Sequence, residues 1–152
     1  MISNFLQKYR DAGILFLRIG IGFSFILVHG YGKIMGGPEL WGKIGGSMAN
    51  MGITFAPVFW GFMASISEFG GGILILLGLF TRPASAFMAF TMLVAFMQHT
   101  SKLDPWARAI YPMEMFAVFM CFLFIGAGKY SLDYIFFKKK NSDMLDDTLR
   151  NP

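Results

Sequence analysis

Cysteine occurs once and histidine twice in the 152 residues. The single thiol, Cys121, lies inside the apolar run FAVFMCFLFIG. That excludes an internal disulfide, a CxxC redox pair and a zinc site built on cysteines, and the residue reads as a small core or lipid-facing side chain. Charge is scarce as well. Asp, Glu, Lys and Arg make up 14% of the chain, against about 25% in soluble domains, so water is the wrong solvent for it. The net charge of +4 comes from basic residues scattered between apolar runs, which gives no basic face for nucleic acid. A cleavable leader is not expected. Gln7, Lys8, Arg10 and Asp11 lead into a run longer than a leader core, with no small-x-small cleavage site near its end. Two other motifs fail. Before Gly32-Lys33 a phosphate loop would need glycine where Leu27 stands, and after it Ser or Thr where Ile34 stands. Twelve methionines, Met113, Met115 and Met120 among them, would carry copper only with several sulfurs on one face, and methionine is also ordinary core filler.

What is abundant is apolar. Hydrophobic residues make up 55%, aromatics 17%, and there are 18 Phe and 18 Gly; glycine is commoner in membrane helices than in soluble ones. About 20 apolar helical residues cross about 30 Å of hydrocarbon. Four stretches approach that length, at about 12–34, 55–80, 82–100 and 109–128. GGPELWGKIGG, Thr81-Arg82-Pro83 and KLDPWARAIYP separate them as breakers. Short connections force antiparallel neighbours, so the expected fold is all-α: a single membrane domain over residues 1–135, an up-down four-helix bundle with both termini on one side. Residues 136–152 are expected to form a basic interfacial segment, with aromatics next to Lys138, Lys139 and Lys140, and a polar tail. Lys8, Arg10, Arg82, Lys129, Lys138, Lys139, Lys140 and Arg150 fall on the side of the termini, against Lys33, Lys43, Lys102 and Arg108 opposite. Eight against four favours cytoplasmic termini under the positive-inside rule.

An ionisable side chain in hydrocarbon needs a partner or a wet cavity, and by default it marks function. The candidates are Arg18 and His29 on the first span, Glu68 on the second, His99 ending the third and Glu114 opening the fourth. Arg18 and His29 are eleven residues apart, which at about 100° per residue returns them to one face. Gly61, Ser65, Glu68 and Gly72 share a small-residue stripe that lets a neighbouring backbone approach and turns Glu68 inward. Two readings stay open. In one, Arg18 pairs with Glu68, the histidines serve helix ends, and Glu114 sits in a first turn two residues after Pro112, where the macrodipole favours a carboxylate. In the other, His29, Glu68, His99 and Glu114 line a pocket open to the outer face, with Arg18 as buried charge partner. That pocket would exchange protons, hold the head of a quinone-like ligand, or bind a transition metal, although the Glu-x-x-His spacing of di-iron bundles is absent.

LRIGIGFSFILVHGYGK, SEFGGGILILLGLFTRPAS, His99, Glu114 and GAGKYSLD, in that order, resemble the DoxX family of small four-helix bacterial membrane proteins, over nearly all of the chain up to Asp133. The resemblance implies a bacterial inner-membrane location and a link to quinone-connected redox systems. It picks out Arg18, His29, Lys33, Glu68, Arg82, His99, Glu114 and Asp133. The leading expectation is an accessory of a membrane redox system that binds a quinone-like ligand, or docks a redox partner protein, through the outer His/Glu pocket. The alternatives are a non-catalytic bundle stabilising a larger complex or homo-oligomer, a metal-binding protein using the same cluster, and a transporter, which would need an oligomer.

Overall fold

A computed structural model describes residues 2–136, with side chains from Tyr9 onward, and every regular element among them is helical. Helix α1 (Ile2–Ser24) runs through a π-helical segment (Phe25–Gly30) into α2 (Tyr31–Ile34). The connection that follows holds α3 (Gly37–Gly45) and a 3₁₀ segment (Gly46–Met51). Then come α4 (Pro57–Leu77), α5 (Thr81–Ser101) and α6 (Trp106–Ile125). The basic stretch and polar tail expected from the sequence beyond Phe136 lie outside the described residues.

Among the described residues, three stretches are long and apolar enough to cross a membrane: Tyr9–Ile34, Pro57–Leu77 and Trp106–Ile125. At most a third of each is buried inside the protein. Phe16, Val28, Phe87 and Phe124 point outward at 69–81% exposure, a pattern that suits a lipid surround and not water.

Helix α4 is the centre of the fold, touching α1, the π segment, α2, α3, the 3₁₀ segment and α5, while α5 packs most extensively on α6. The reason lies in its small face. Gly61, Ser65, Glu68, Gly71, Gly72 and Ile75 are buried, and a Cβ at Gly22 of α1 would come within 3.0 Å of the Gly72 carbonyl oxygen. Phe25, Ile75, Met88, Met92, Phe119 and Phe122 form the core that joins the π segment, α4, α5 and α6. Phe25 meets Phe119 edge to face at 5.1 Å, a geometry that adds to simple burial. Gly78 takes a left-handed conformation at φ 64°. Its N–H donates to Ile75 O, and that of Leu79 donates to Leu74 O. This paired ending closes α4 and lets α5 start at Thr81.

Two breakers behave differently from the sequence expectation. GGPELWGKIGG is itself helical in α3. Pro38 sits in the first turn, where its missing N–H is no loss, and Glu39 pairs with Lys43 one turn on at 2.7 Å. Helix α3 folds back onto the start of α4 so closely that a Cβ on Gly61 would overlap the Trp41 carbonyl. Pro112 lies inside α6, which begins at Trp106; membrane helices tolerate an interior proline. Glu114 is therefore beyond the first turn, away from the helix N-terminus, and it is exposed.

Candidate functional site

Glu68 is 2% exposed, and its partner is Lys33, not Arg18. Lys33 Nζ donates to both carboxylate oxygens at 2.7 and 2.6 Å. The helix register decides this. Gly22 rests on Gly72, and Gly30 on Phe69, so in the antiparallel α1/α4 pair Glu68 lies level with the end of the first span and well away from Arg18. Lys33 is held from behind by Trp41, whose Nε1–H donates to the Lys33 carbonyl at 2.8 Å.

Beside this pair is a cavity of about 510 Å³ between α4 and α5. Gly70, Gly71 and Ala64 of α4 leave the room, and Ala84, Val94 and Ala95 of α5 form the facing wall. Gly45, Ser47 and Met48 of the α3 connection roof it, fastened to α5 by Asn50, which donates to Gln98 Oε1 at 2.6 Å. Phe59, Ile66, Phe87 and Phe90 line it and are 40–69% exposed, so the mouth is an apolar slot on the outside of the bundle. Lys33, Glu68, Ser47, Ser67, Thr91 and Trp60 are the lining residues able to hydrogen-bond through their side chains. An apolar chamber with a few convergent polar groups is the usual form of a small-molecule site.

His29 sits in the π-helical segment, a form frequent at functional sites. Its Nε2 shares a 2.8 Å hydrogen bond with the Tyr111 hydroxyl, and the two rings stack with centroids 5.2 Å apart. Lys33 lies within electrostatic reach of His29, and Glu68 within reach of Tyr111, which makes the four a loose charged and polar group. His99 is not part of it. Its Nδ1 bonds Asp104 at 2.8 Å and holds the turn after α5. Among the described residues, no hydrogen bond or ion pair joins His29, Glu68, His99 and Glu114 to one another, and no three His, Cys, Asp or Glu side chains gather as a metal site. The four-residue metal set read from the sequence does not assemble, because His99 and Glu114 are engaged or exposed elsewhere.

The opposite end of the bundle is a staple. Arg18, 1% exposed, donates to four backbone carbonyls: Ile75 and Leu76 at the end of α4, both at 2.9 Å, Ala127 at 2.9 Å and Tyr130 at 2.7 Å after α6. Asp133 accepts from the N–H groups of Phe80 and Thr81 at 2.7 and 2.9 Å and donates its own N–H to Gly78 O at 2.9 Å. Asp133 thereby caps α5. Removing that carboxylate as Asp133→Ala is expected to lower stability by about 1–2 kcal/mol, the loss typical of a helix cap, measurable as a lower thermal midpoint by circular dichroism in detergent. Arg82 reaches the Phe124 carbonyl only weakly, at 3.4 Å. Asp11 is buried here too, with no hydrogen bond to its oxygens, facing Lys129 at 3.9 Å and Arg10 at 3.7 Å.

The chain as a whole has counterparts among known proteins. A profile of the DoxX family matches residues 13–100. The chain belongs to the DoxX family. It is 33% identical over 138 residues to the inner membrane protein YqjF of Escherichia coli K12, covering 88% of this chain and 99% of that protein. It is 35% identical over 142 residues to an uncharacterized protein of Haemophilus influenzae, covering 90% and 99%. No solved structure matches the chain. With its three span-length helices, this DoxX protein is a multi-pass protein of the bacterial inner membrane, in contact with lipid. Sequence reading left Lys33 secondary and overlooked Tyr111 and Trp60. An intramembrane carboxylate with a lysine at the end of a neighbouring span was the available signal for the first; nothing in the spacing marked the other two.

Proposed function

We propose that this DoxX protein is an accessory of an inner-membrane redox system that holds a quinone-like lipophile in the slot between α4 and α5. The Lys33–Glu68 pair forms the polar end of the site, and His29 with Tyr111 stands behind it as a proton-exchanging couple. The observation that carries this reading is a chamber of about 510 Å³ closing on a buried carboxylate paired with a half-buried ammonium. A charge pair in hydrocarbon is expensive and rare unless it serves a ligand or an ion. Electron transfer itself is left to a partner protein.

The reading takes α5 as a fourth crossing. Its 21 residues rise about 31 Å at 1.5 Å each, enough for the hydrocarbon core, and no charged residue stands between Arg82 and His99. Four crossings make an antiparallel bundle with both termini in the cytoplasm, as the loop charges favour. The slot then opens sideways into the bilayer, and the α3 roof lies at the periplasmic side.

The test is binding of a decyl-tailed benzoquinone to protein in lipid nanodiscs, followed by quenching of tryptophan fluorescence. Saturable quenching is expected, weakened about tenfold or more in Glu68→Gln, which leaves the Lys33 charge without its partner. Absence of saturable quenching would remove the ligand-binding role. A second reading, a non-catalytic bundle within a larger complex or homo-oligomer, is favoured by Gly13 and Gly20, seven residues apart on α1 with nothing packed over them. Its sign is a stoichiometric partner that co-purifies while the slot stays empty.

A further inference from the structure

The charges inside the spans are provided for, with one exception. Arg18 has its carbonyls and Glu68 has Lys33. Glu114 is exposed on the outside of α6, and among the described residues no hydrogen bond or ion pair reaches it. Its depth makes this costly. Glu114 stands eight residues beyond Trp106, where the span begins, which is about 12 Å along the helix axis. A second count agrees. Tyr111, one turn nearer the outer end, bonds His29, and His29 itself lies five residues inside the end of the first span at Ile34. Long lysine and arginine side chains can snorkel to the interface from within a span, but the two-methylene stem of a glutamate is too short for that distance. A carboxylate in a span normally faces the bundle interior or water, or pairs with another ionisable group.

The face that carries Glu114 is the back of α6. Ala109, Pro112 and Phe119 are its buried side. Ala107, Glu114 and Cys121 recur every seven residues, two turns less about 20° each time, on the opposite side, with Ala117 next to them; all four are exposed. No residue of α6 lines the slot, so what happens on this face is independent of what the slot binds.

We infer that this face of α6 is a contact between two copies of the chain, with Glu114 of one copy hydrogen-bonded to Glu114 of the other. Two copies inserted the same way and related by a twofold axis along the membrane normal place identical residues at identical depth. A second copy therefore brings a polar group to the level where one is missing. Two glutamates that share a proton are self-complementary, the O–H of one donating to the carboxylate of the other in a strong, short hydrogen bond. Ala107, Ala117 and Cys121 are small, which lets the two backbones come close enough for that bond.

Cys121, the only cysteine of the chain, sits on the same face two turns deeper and reports the contact directly. The test is cross-linking of the full chain in proteoliposomes at high lipid-to-protein ratio, by copper-phenanthroline oxidation and by a short bismaleimide that bridges thiols too far apart for a disulfide. A covalent dimer is expected with the native chain and none with Cys121→Ser. Glu114 touches nothing within its own chain, so changing it leaves the fold intact. Glu114→Gln, whose amide both donates and accepts, should keep the dimer. Glu114→Leu should lower its yield about tenfold, in line with the loss of interhelical hydrogen bonding in lipid. Loss in Glu114→Gln as complete as in Glu114→Leu overturns self-pairing and points to a partner helix bearing a cation. No dimer from the native chain with either reagent, or a dimer unaffected by Glu114→Leu, overturns the contact. So does a dimer trapped instead by Phe16→Cys/Cys121→Ser, which moves the thiol to the outside of α1.

Discussion

Replacing Arg18 with methionine is expected to destabilise the protein by about 3–5 kcal/mol, the loss seen when one member of a buried charged network is removed. The cause is not a lost ion pair. Four backbone carbonyls, those of Ile75, Leu76, Ala127 and Tyr130, receive this one guanidinium, and methionine leaves all four without it in a buried to half-buried setting. Each hydrogen bond to a charged group contributes about 1.5–3 kcal/mol, and partial rearrangement of the Gly126–Asp133 strap keeps the total below the sum. Arg18→Lys should recover little. An ammonium is a compact point charge and cannot fan out to carbonyls on two separate segments as the planar fork does. The measurement is unfolding by sodium dodecyl sulfate titration from mixed micelles, with proteolysis of the residues after α6 as a local readout. Unchanged unfolding and no added cleavage would show that the carbonyls are served by other donors.

Removal of Lys33 is the second large effect. In Lys33→Met the Glu68 carboxylate stays 2% exposed with no cation in contact, at a cost of about 2–3 kcal/mol. That is below the roughly 3–5 kcal/mol of a fully enclosed pair, because a third of the Lys33 side chain remains exposed. Glu68→Leu alone strands the ammonium less severely, since Lys33 can extend toward the surface. The double change Lys33→Met/Glu68→Leu is expected to be more stable than Lys33→Met, since a well-packed apolar pair often replaces a buried ion pair at little loss. The coupling energy from this cycle, read by the same detergent titration, separates structure from function. A stable double variant that no longer binds the benzoquinone probe would assign the charges to the ligand. Additive single effects would mean that Lys33 and Glu68 do not act as a pair.

The helical character and the buried small-residue face of α4 could be read from periodicity, because Gly61, Ser65, Glu68 and Gly72 recur at helical spacing and the bilayer leaves few other folds. Partner choice could not. A carboxylate partner for Arg18 is one of the two readings the sequence leaves open, because side-chain charges are what a sequence displays, whereas its actual acceptors are backbone carbonyls, which every residue has. The level at which α1 meets α4 is fixed by Gly22 against Gly72, a contact invisible before the helices are docked, and it moves Glu68 to Lys33. Counting 100° per residue puts His29 on the Arg18 face, but the π-helical segment from Phe25 to Gly30 widens the turn and breaks that count. His99 and Asp104 are five residues apart and close a local turn, a pairing more economical than the long-range one expected. Trp60 could not be distinguished in advance from an ordinary interfacial tryptophan, since its place on the cavity wall emerges only once α4 is packed against α5.

Arg18 is synthesised early, yet two of its four acceptors, Ala127 and Tyr130, lie 109 and 112 residues further along. During biogenesis the first helix therefore reaches the bilayer with its guanidinium incompletely satisfied, and a segment made more than a hundred residues later completes it. A chain stopped short of Ala127 keeps only the Ile75 and Leu76 carbonyls for this guanidinium, so the last helix and the strap after it are needed to finish the burial of a charge on the first.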